Sequence, residues 1–410
     1  MAAVNTVDSL NGLFKRRYAP RLERLIPEEF VLQNEISFNR SKRLGSTFHQ
    51  PVVLQREHGA TYAASGDGAF QLDAAVAGQL QDAQVQGSQL VMRAAIDYES
   101  LAKGDGAGEH SFEDANSLLL ENLMMSVKHR LEIALWYGQD ELGTVASVAS
   151  LVITITTAEW APGIWSGMEG AKLEIFDTAG TTKRTNVATI TAVNIATREV
   201  TVDVMPTGTT GTDRIFFKTA RTTSAHKDMA GIHAIMTNTG TLFSISASQY
   251  SLWASNTQSA GSANLDFETV QDAVALAMGK GFKGNAVLYV STATWAKMMN
   301  DEAALRRHGD PNKSSNYERG AESITFFTQA GVIKIVSSIC VKEGYAYLMQ
   351  PKLWTRIGAT DITFKVPGRG GDFYRQLDDQ AGIEIRCYYH QAVFSKAPGK
   401  ATLINNIVNS

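Results

Sequence analysis

The sequence predicts an α+β chain with an all-β unit inserted in its middle, and three observations carry that prediction. One long amphipathic helix occupies residues 111–137. Alternating Thr, Val and Ile then fill residues 144–220 between Gly, Thr and Asp turns. From residue 226 onward helical and strand patterns mix, and a strand at 382–394 comes near the end. At 410 residues the chain exceeds the size at which one core usually stops growing, so two or three domains are expected. A hydrophobic share of 44% with 19% charged residues matches folded proteins rather than disordered ones. The net charge of -3 argues against a dedicated nucleic-acid binder, which would be strongly basic. Cys340 and Cys387 form no CxxC and no Cys/His cluster, which argues against a disulfide scaffold or structural zinc and for synthesis in a reducing cytoplasm.

Residues 1–43 carry eight Lys/Arg against five acids. Leu10, Leu13, Phe14 and Tyr18, then Leu22, Leu25 and Ile26, recur near helical spacing, interrupted by Pro20 and ended by Pro27. The segment reads as an amphipathic arm whose basic face holds Lys15, Arg16, Arg17, Arg21 and Arg24. It lacks the apolar stretch of a signal peptide. The longest strongly apolar uncharged run, residues 143–158, is too short and too rich in Thr and Ser to span a bilayer.

Residues 44–72 suit strands, with Pro51 at an edge or a strand start and Gly66-Asp67-Gly68 as a turn tip. Residues 73–89 (DAAVAGQLQDAQVQGSQ) hold few large apolar groups. Such a segment is either disordered or covered by something outside its own subunit. In the long helix, Ser111 and Asp114 fit a capping box and Gly138 supplies the stop. Leu120, Leu123, Met124, Val127, Leu131 and Ala134 form its apolar stripe. The β unit reads as six strands in a barrel or a sandwich. Beyond it, Asp266 caps a helix through Met278, strands follow at 286–290, 333–338 and 345–350, and residues 306–322 form a polar loop.

The motifs that carry chemistry fail one by one. Gly279-Lys280-Gly281-Phe282-Lys283-Gly284 matches G-x-G-x-x-G, but it closes a helix and opens a strand, the reverse of a dinucleotide site. No Walker A, HExxH, GxSxG or EF-hand pattern occurs, and GDGAGE (104–109) lacks calcium-ligand spacing. Asp378 and Asp379 are adjacent, so they point to different faces and cannot pair as general acid and base. The stretch FHQPVVLQREHG places His49 and His58 nine apart, on opposite sides of a continuous strand, with Glu57 pointing away from His58. The reading is an extended arm with no catalytic residue, no metal ligand and no cofactor.

The order of pieces resembles the major capsid protein of tailed bacteriophages, with its Hong Kong 97-type (HK97-like) fold. NGLFKRRYAPRLERLIP, LGSTFHQPVVLQREHGATY and IEIRCYYHQAVFSKAPGKATLI are similar to capsid proteins of a branch of short-tailed phages. The resemblance implies an N-terminal arm over 1–43, an extended E-loop hairpin over 44–98 and a P-domain spine helix over 99–143. It further implies an inserted β-barrel or sandwich over 144–225, an A-domain over 226–360 and a return to the P-domain over 361–410. Arm residues His49, Gln50, Glu57, His58 and Tyr62, with the tip Gly66, Asp67 and Gly68, would meet a neighbouring subunit. The basic arm would face packaged DNA or a neighbour, with weak, salt-sensitive affinity at most.

The implied function is a self-assembling, non-enzymatic shell subunit. Its hexamers and pentamers would form an icosahedral head around viral double-stranded DNA, assembled in the host cytoplasm and located in the virion. A separate scaffolding protein, a portal protein and a decoration or cement protein would be its partners, and no membrane would be involved. Residues 44–92 contain no lysine, so crosslinking from the E-loop is unsupported. The competing readings are an encapsulin-like compartment shell, a cytosolic enzyme with an unrecognised site, and a phage adhesin or tail component.

Overall fold

The computed structural model describes residues 25–40, 47–99, 115–300, 324–365, 374–377 and 381–409. Its axis is the helix Ala115–Tyr137, whose 23 residues make a rod of about 35 Å. The cap expected at Ser111 and Asp114 lies outside the described residues. In the first half of the helix Leu123 and Val127 are buried while Glu121, Asn122 and Ser126 face out. Met124, expected in the apolar stripe, is 36% exposed. From Leu131 to Tyr137 the helix enters the body, and Leu131, Ile133, Leu135, Trp136 and Tyr137 are buried around its circumference. A one-stripe pattern therefore describes only the first half. Gly138 follows the helix at a close approach of backbone, where a Cβ would lie 2.2 Å from the Met229 carbonyl oxygen.

Two sheets flank this helix. In the five-stranded one, Gly382–Ser395 is the central strand. Ser88–Asp97 pairs antiparallel along one of its sides, and Trp354–Thr363 and Tyr374–Gln376 pair along the other. Phe38–Arg40 adds parallel to Trp354–Thr363. The six-stranded sheet runs Asn256–Ala263, Thr402–Ile407, Ala346–Met349, Ala286–Val290, Val332–Ser337, Ile324–Phe327. Residue 361 lies inside the strand Trp354–Thr363. The chain joins the first sheet at Trp354, where that strand pairs with Gly382–Ser395, and Thr402–Ile407 pairs in the second sheet.

Between the long helix and the second sheet in sequence comes a closed six-stranded barrel, in the order Arg214–Phe217, Gly143–Ala149, Val152–Ile155, Glu199–Val202, Ala188–Asn194, Lys172–Phe176. Ile153, Ile155, Leu173, Ile175, Val200 and Ile215 are fully buried, as the Thr/Val/Ile alternation requires when one face points inward. Closure leaves no open edge along these strands. Asp213 is buried, with both oxygens on Arg184 at 2.8 Å. The helix Phe267–Gly279 is capped by Asp266, which accepts from the Thr269 amide at 2.8 Å and buries Val270 and Val274. Cys340 and Cys387 are free and buried. Among the described residues no helix is long and apolar enough to cross a membrane.

Candidate assembly surfaces

Residues 48–85 form a hairpin arm. Phe48–Gln55 pairs antiparallel with Gln79–Val85, from Phe48 opposite Val85 to Gln55 opposite Gln79, with an irregularity near its outer end. The sparse run 73–89 is therefore ordered over 79–85, held by ladder hydrogen bonds rather than by burial. Only Ala83 and Val85 of that strand are buried. Beyond the ladder, His58 and Val76 exchange both backbone hydrogen bonds, at 2.9 and 2.6 Å. At the tip, Asp67 accepts from the Ala64 amide at 2.6 Å, and Gly66 and Gly68 hold φ of +103° and +66°. That left-handed geometry makes glycine the natural residue at both positions.

The arm is fastened along its ladder, from Phe48 to Gln79. Phe48 packs on Phe394 with ring centres 5.5 Å apart. The Gln84 amide donates to the Phe243 carbonyl at 2.9 Å, and the Tyr250 hydroxyl donates to Gln79 at 2.6 Å. Outward, Val53, Tyr62, Phe70, Leu72, Val76 and Leu80 are all exposed, Tyr62 at 95%. Fully burying such a side chain is worth about 1.5–3 kcal/mol, so a surface covering several of them gains enough to offset part of the cost of association.

The structure separates the two histidines of the opening stretch. His49 pairs through Nδ1 with Asp82 across the hairpin, and its Nε2 lies 2.9 Å from Thr47 Oγ1. His58 lies in the bridge farther out, beside exposed Glu57. Gln50 lies on the ladder opposite Ala83. Among the described residues no group of three or more His, Cys, Asp and Glu could hold a metal ion. The basic arm residues Lys15, Arg16, Arg17, Arg21 and Arg24 lie outside the described residues.

Two buried polar joints, invisible to local motifs, hold the rest together. The first staples residues 29–40 to the body. Glu132 accepts from the Leu32 and Gln33 amides at 2.8 and 3.2 Å and from the Gln33 side chain at 3.1 Å. Burial pushes its carboxyl up to about 7 against those hydrogen bonds. Arg356 donates to the Ile36 carbonyl at 2.9 Å, Glu29 accepts from the Ile339 amide at 3.3 Å, and Tyr289 donates to Glu35.

The second joint ties the end of the long helix, the barrel and the six-stranded sheet. Lys342 is fully buried, with its Nζ 2.5 Å from Glu159, 2.9 Å from the Glu141 carbonyl and 4.4 Å from the Tyr137 ring centre. Burial alone would lower the lysine, but Glu159, Asp140 and Glu141 hold it well above its ordinary value. Tyr345 donates to Glu159 at 2.7 Å. His233 meets the Tyr347 hydroxyl at 2.8 Å, and burial pushes it down to about 4. Burial, with Asp140 beside it, pushes the Glu141 carboxyl up to about 7. A lysine committed to a carboxylate in this way is a strut rather than a nucleophile, which requires a free amine.

No family model and no curated protein matches this sequence. Solved structures do match it. The capsid asymmetric unit of cyanophage A-1(L) aligns with a TM-score of 0.57 at 12% identity, covering 98% of this chain and 99% of that one. The capsid of a native GTA particle aligns at 0.52 and 10% identity, over 99% and 100%. The empty GTA particle gives 0.52 and 9%. The chain has the HK97-like α+β fold of these capsid proteins.

Proposed function

We propose that this chain is the major capsid protein of a tailed phage, self-assembling into hexamers and pentamers that form an icosahedral head around double-stranded DNA. One observation carries the reading: a capsid-type fold covers 98% of this chain and 99% of its structural neighbour, and the hairpin arm presents apolar side chains that its own subunit leaves uncovered. Covering them is the work of a neighbouring copy, through His49, Gln50, Glu57, His58 and Tyr62 and the tip Gly66, Asp67 and Gly68. A head of this kind uses a separate scaffolding protein and a portal protein, accepts a decoration protein, and is assembled in the host cytoplasm. The subunit itself carries out no catalysis, and its buried Lys342 joint is a strut. The closer kinship to short-tailed phages rests on the quoted sequence stretches alone.

Negative-stain microscopy with sedimentation of the purified chain, with and without its scaffold, tests this reading. Closed shells, tubes, or hexamer and pentamer rings are expected. A monodisperse monomer or dimer under every condition would refute it. Shells that enclose protein cargo and never DNA would move it to an encapsulin-like compartment.

A further inference from the structure

The rejected glycine motif lies at a place where charge is strongly segregated. Strands Ala286–Val290, Val332–Ser337 and Thr402–Ile407 begin at one end of the six-stranded sheet, and Ala346–Met349 finishes there. Six lysines gather at this end. Lys280 and Lys283 precede the first of these strands, Lys334 lies early in the second, and Lys352 follows the fourth. Lys396 and Lys400 precede the third.

Lys280 is used by the fold, donating to the Ala254 carbonyl at 2.8 Å. Lys283, Lys334, Lys352 and Lys396 are exposed and Lys400 is half-buried. None of these five side chains makes an ion pair or a side-chain hydrogen bond among the described residues. Residues 273–300, 344–360 and 385–410 contain no Asp or Glu, in a chain whose net charge is -3. Lys334, Lys352 and Lys396 line a groove of about 1190 Å³ with Asn285 and Gln350. The carboxylate in that groove, Glu35, accepts from the Tyr289 hydroxyl and also feels the charge of Lys334, which offsets part of the upward push of burial.

The glycines place this charge without cradling a phosphate. The amides of Lys280, Gly281 and Phe282 are spent on the helix end, and that of Gly284 on the Ala330 carbonyl. Positive φ at Gly281 and Gly284, +87° and +95°, turns the chain so that Lys283 projects beside the strand end. We infer that the sheet end built by Lys283, Lys334, Lys352, Lys396 and Lys400 is a binding site for the phosphate backbone of a double-stranded nucleic acid.

Two features favour phosphate over an acidic protein. Lysine is depleted from the cores of protein interfaces, whereas point charges on flexible stems suit a repeating polyanion. The aromatic lining of the groove is a half-buried Phe38 and a buried Trp354, so it offers no fully exposed ring as a hot-spot anchor or as a platform for an unstacked base. The contact is therefore indifferent to sequence and sensitive to salt. It goes beyond the capsid reading and stands or falls separately from it.

Affinity of the full chain for a short mixed-sequence duplex, measured across a salt series, tests the inference. Each phosphate contact contributes about -0.9 to the slope of log affinity against log salt. The variant Lys283→Gln, Lys334→Gln, Lys352→Gln, Lys396→Gln is expected to flatten that slope by about 3–4 and to lose about a hundredfold in affinity at low salt. A control with the same charge change, Lys172→Gln, Lys218→Gln, Lys227→Gln, Lys365→Gln, should keep the slope. Equal losses in the two variants would overturn the site in favour of net charge. Loss only on replacing Lys15, Arg16, Arg17 and Arg21 would overturn it in favour of the N-terminal arm. Binding to polyglutamate without binding to duplex would overturn it in favour of an acidic protein. Particle formation, scored on the same samples by microscopy, keeps failure of this site distinct from failure of the capsid reading.

Discussion

The hairpin arm and the Lys342 joint solve opposite problems in one chain. Around Lys342 the polar groups are buried and satisfied by carboxylates, a carbonyl and a ring face, all from the same subunit. On the arm, many apolar side chains point into water, and order comes from the backbone ladder and a few contacts of one face with the body. The contrast separates two kinds of specification. The joint fixes one internal geometry, since each partner leaves an uncompensated charge if another is removed. The arm fixes only its own shape and leaves its outer surface to be satisfied elsewhere.

That comparison can be broken at several points. The largest effect is expected from Lys342→Met, which strands Glu159 in the interior. A loss of about 3–5 kcal/mol should appear in denaturant or thermal unfolding. A variant of wild-type stability would show that the joint is decorative. Next, Gly138→Ala forces a Cβ onto the Met229 and Ala134 carbonyls and should cost about 1–3 kcal/mol in the same assay.

The pH dependence sharpens the picture within the two joints. The folded pKa of His233 is about 4, below its ordinary 6.5. Its contribution is therefore present above pH 6.5 and is lost as pH falls towards 4. Glu132 has the opposite sign. Its folded pKa is about 7 against an ordinary 4.5, so its contribution is present below pH 4.5 and is lost as pH rises through 7. Melting curves across this range should show Glu132→Gln gaining on the wild type as pH rises, and His233→Asn gaining as pH falls. Parallel curves would contradict both assignments.

The smallest effect on the subunit, and the largest on assembly, belongs to the arm. Val53→Ser, Tyr62→Ser, Leu72→Ser and Leu80→Ser should each change unfolding stability by no more than about 0.5 kcal/mol. Together they should abolish particles seen by microscopy. Normal particles from the quadruple variant would remove the arm from the assembly surface.

What could be read in the sequence follows from how local each signal is. The helix capped by Asp266, the barrel strands and the strand at 286–290 repeat within a few residues, so periodicity finds them. The arm was readable because residues 73–89 are too sparse to hold themselves in place by burial, although the ladder that orders 79–85 was not visible in that run. The two joints left no trace, because Glu132 reaches back to Leu32 and Lys342 to Glu159 across long stretches of chain. The full burial of the second half of the long helix was equally hidden, since the elements around it come from several distant segments. The lysines at the sheet end are scattered through the sequence, and only the strand register brings them together.

The place of Thr402–Ile407 between Asn256–Ala263 and Ala346–Met349 has a consequence for timing. During synthesis the ribosome must pass residue 407 before the six-stranded sheet can close, whereas the hairpin partners, residues 48–55 and 79–85, emerge long before. A chain still being made thus displays its sticky arm while the body it belongs to is unfinished. Nascent neighbours on one message would meet arm first, and a cell making this protein has reason to keep them apart until the last strand is in place.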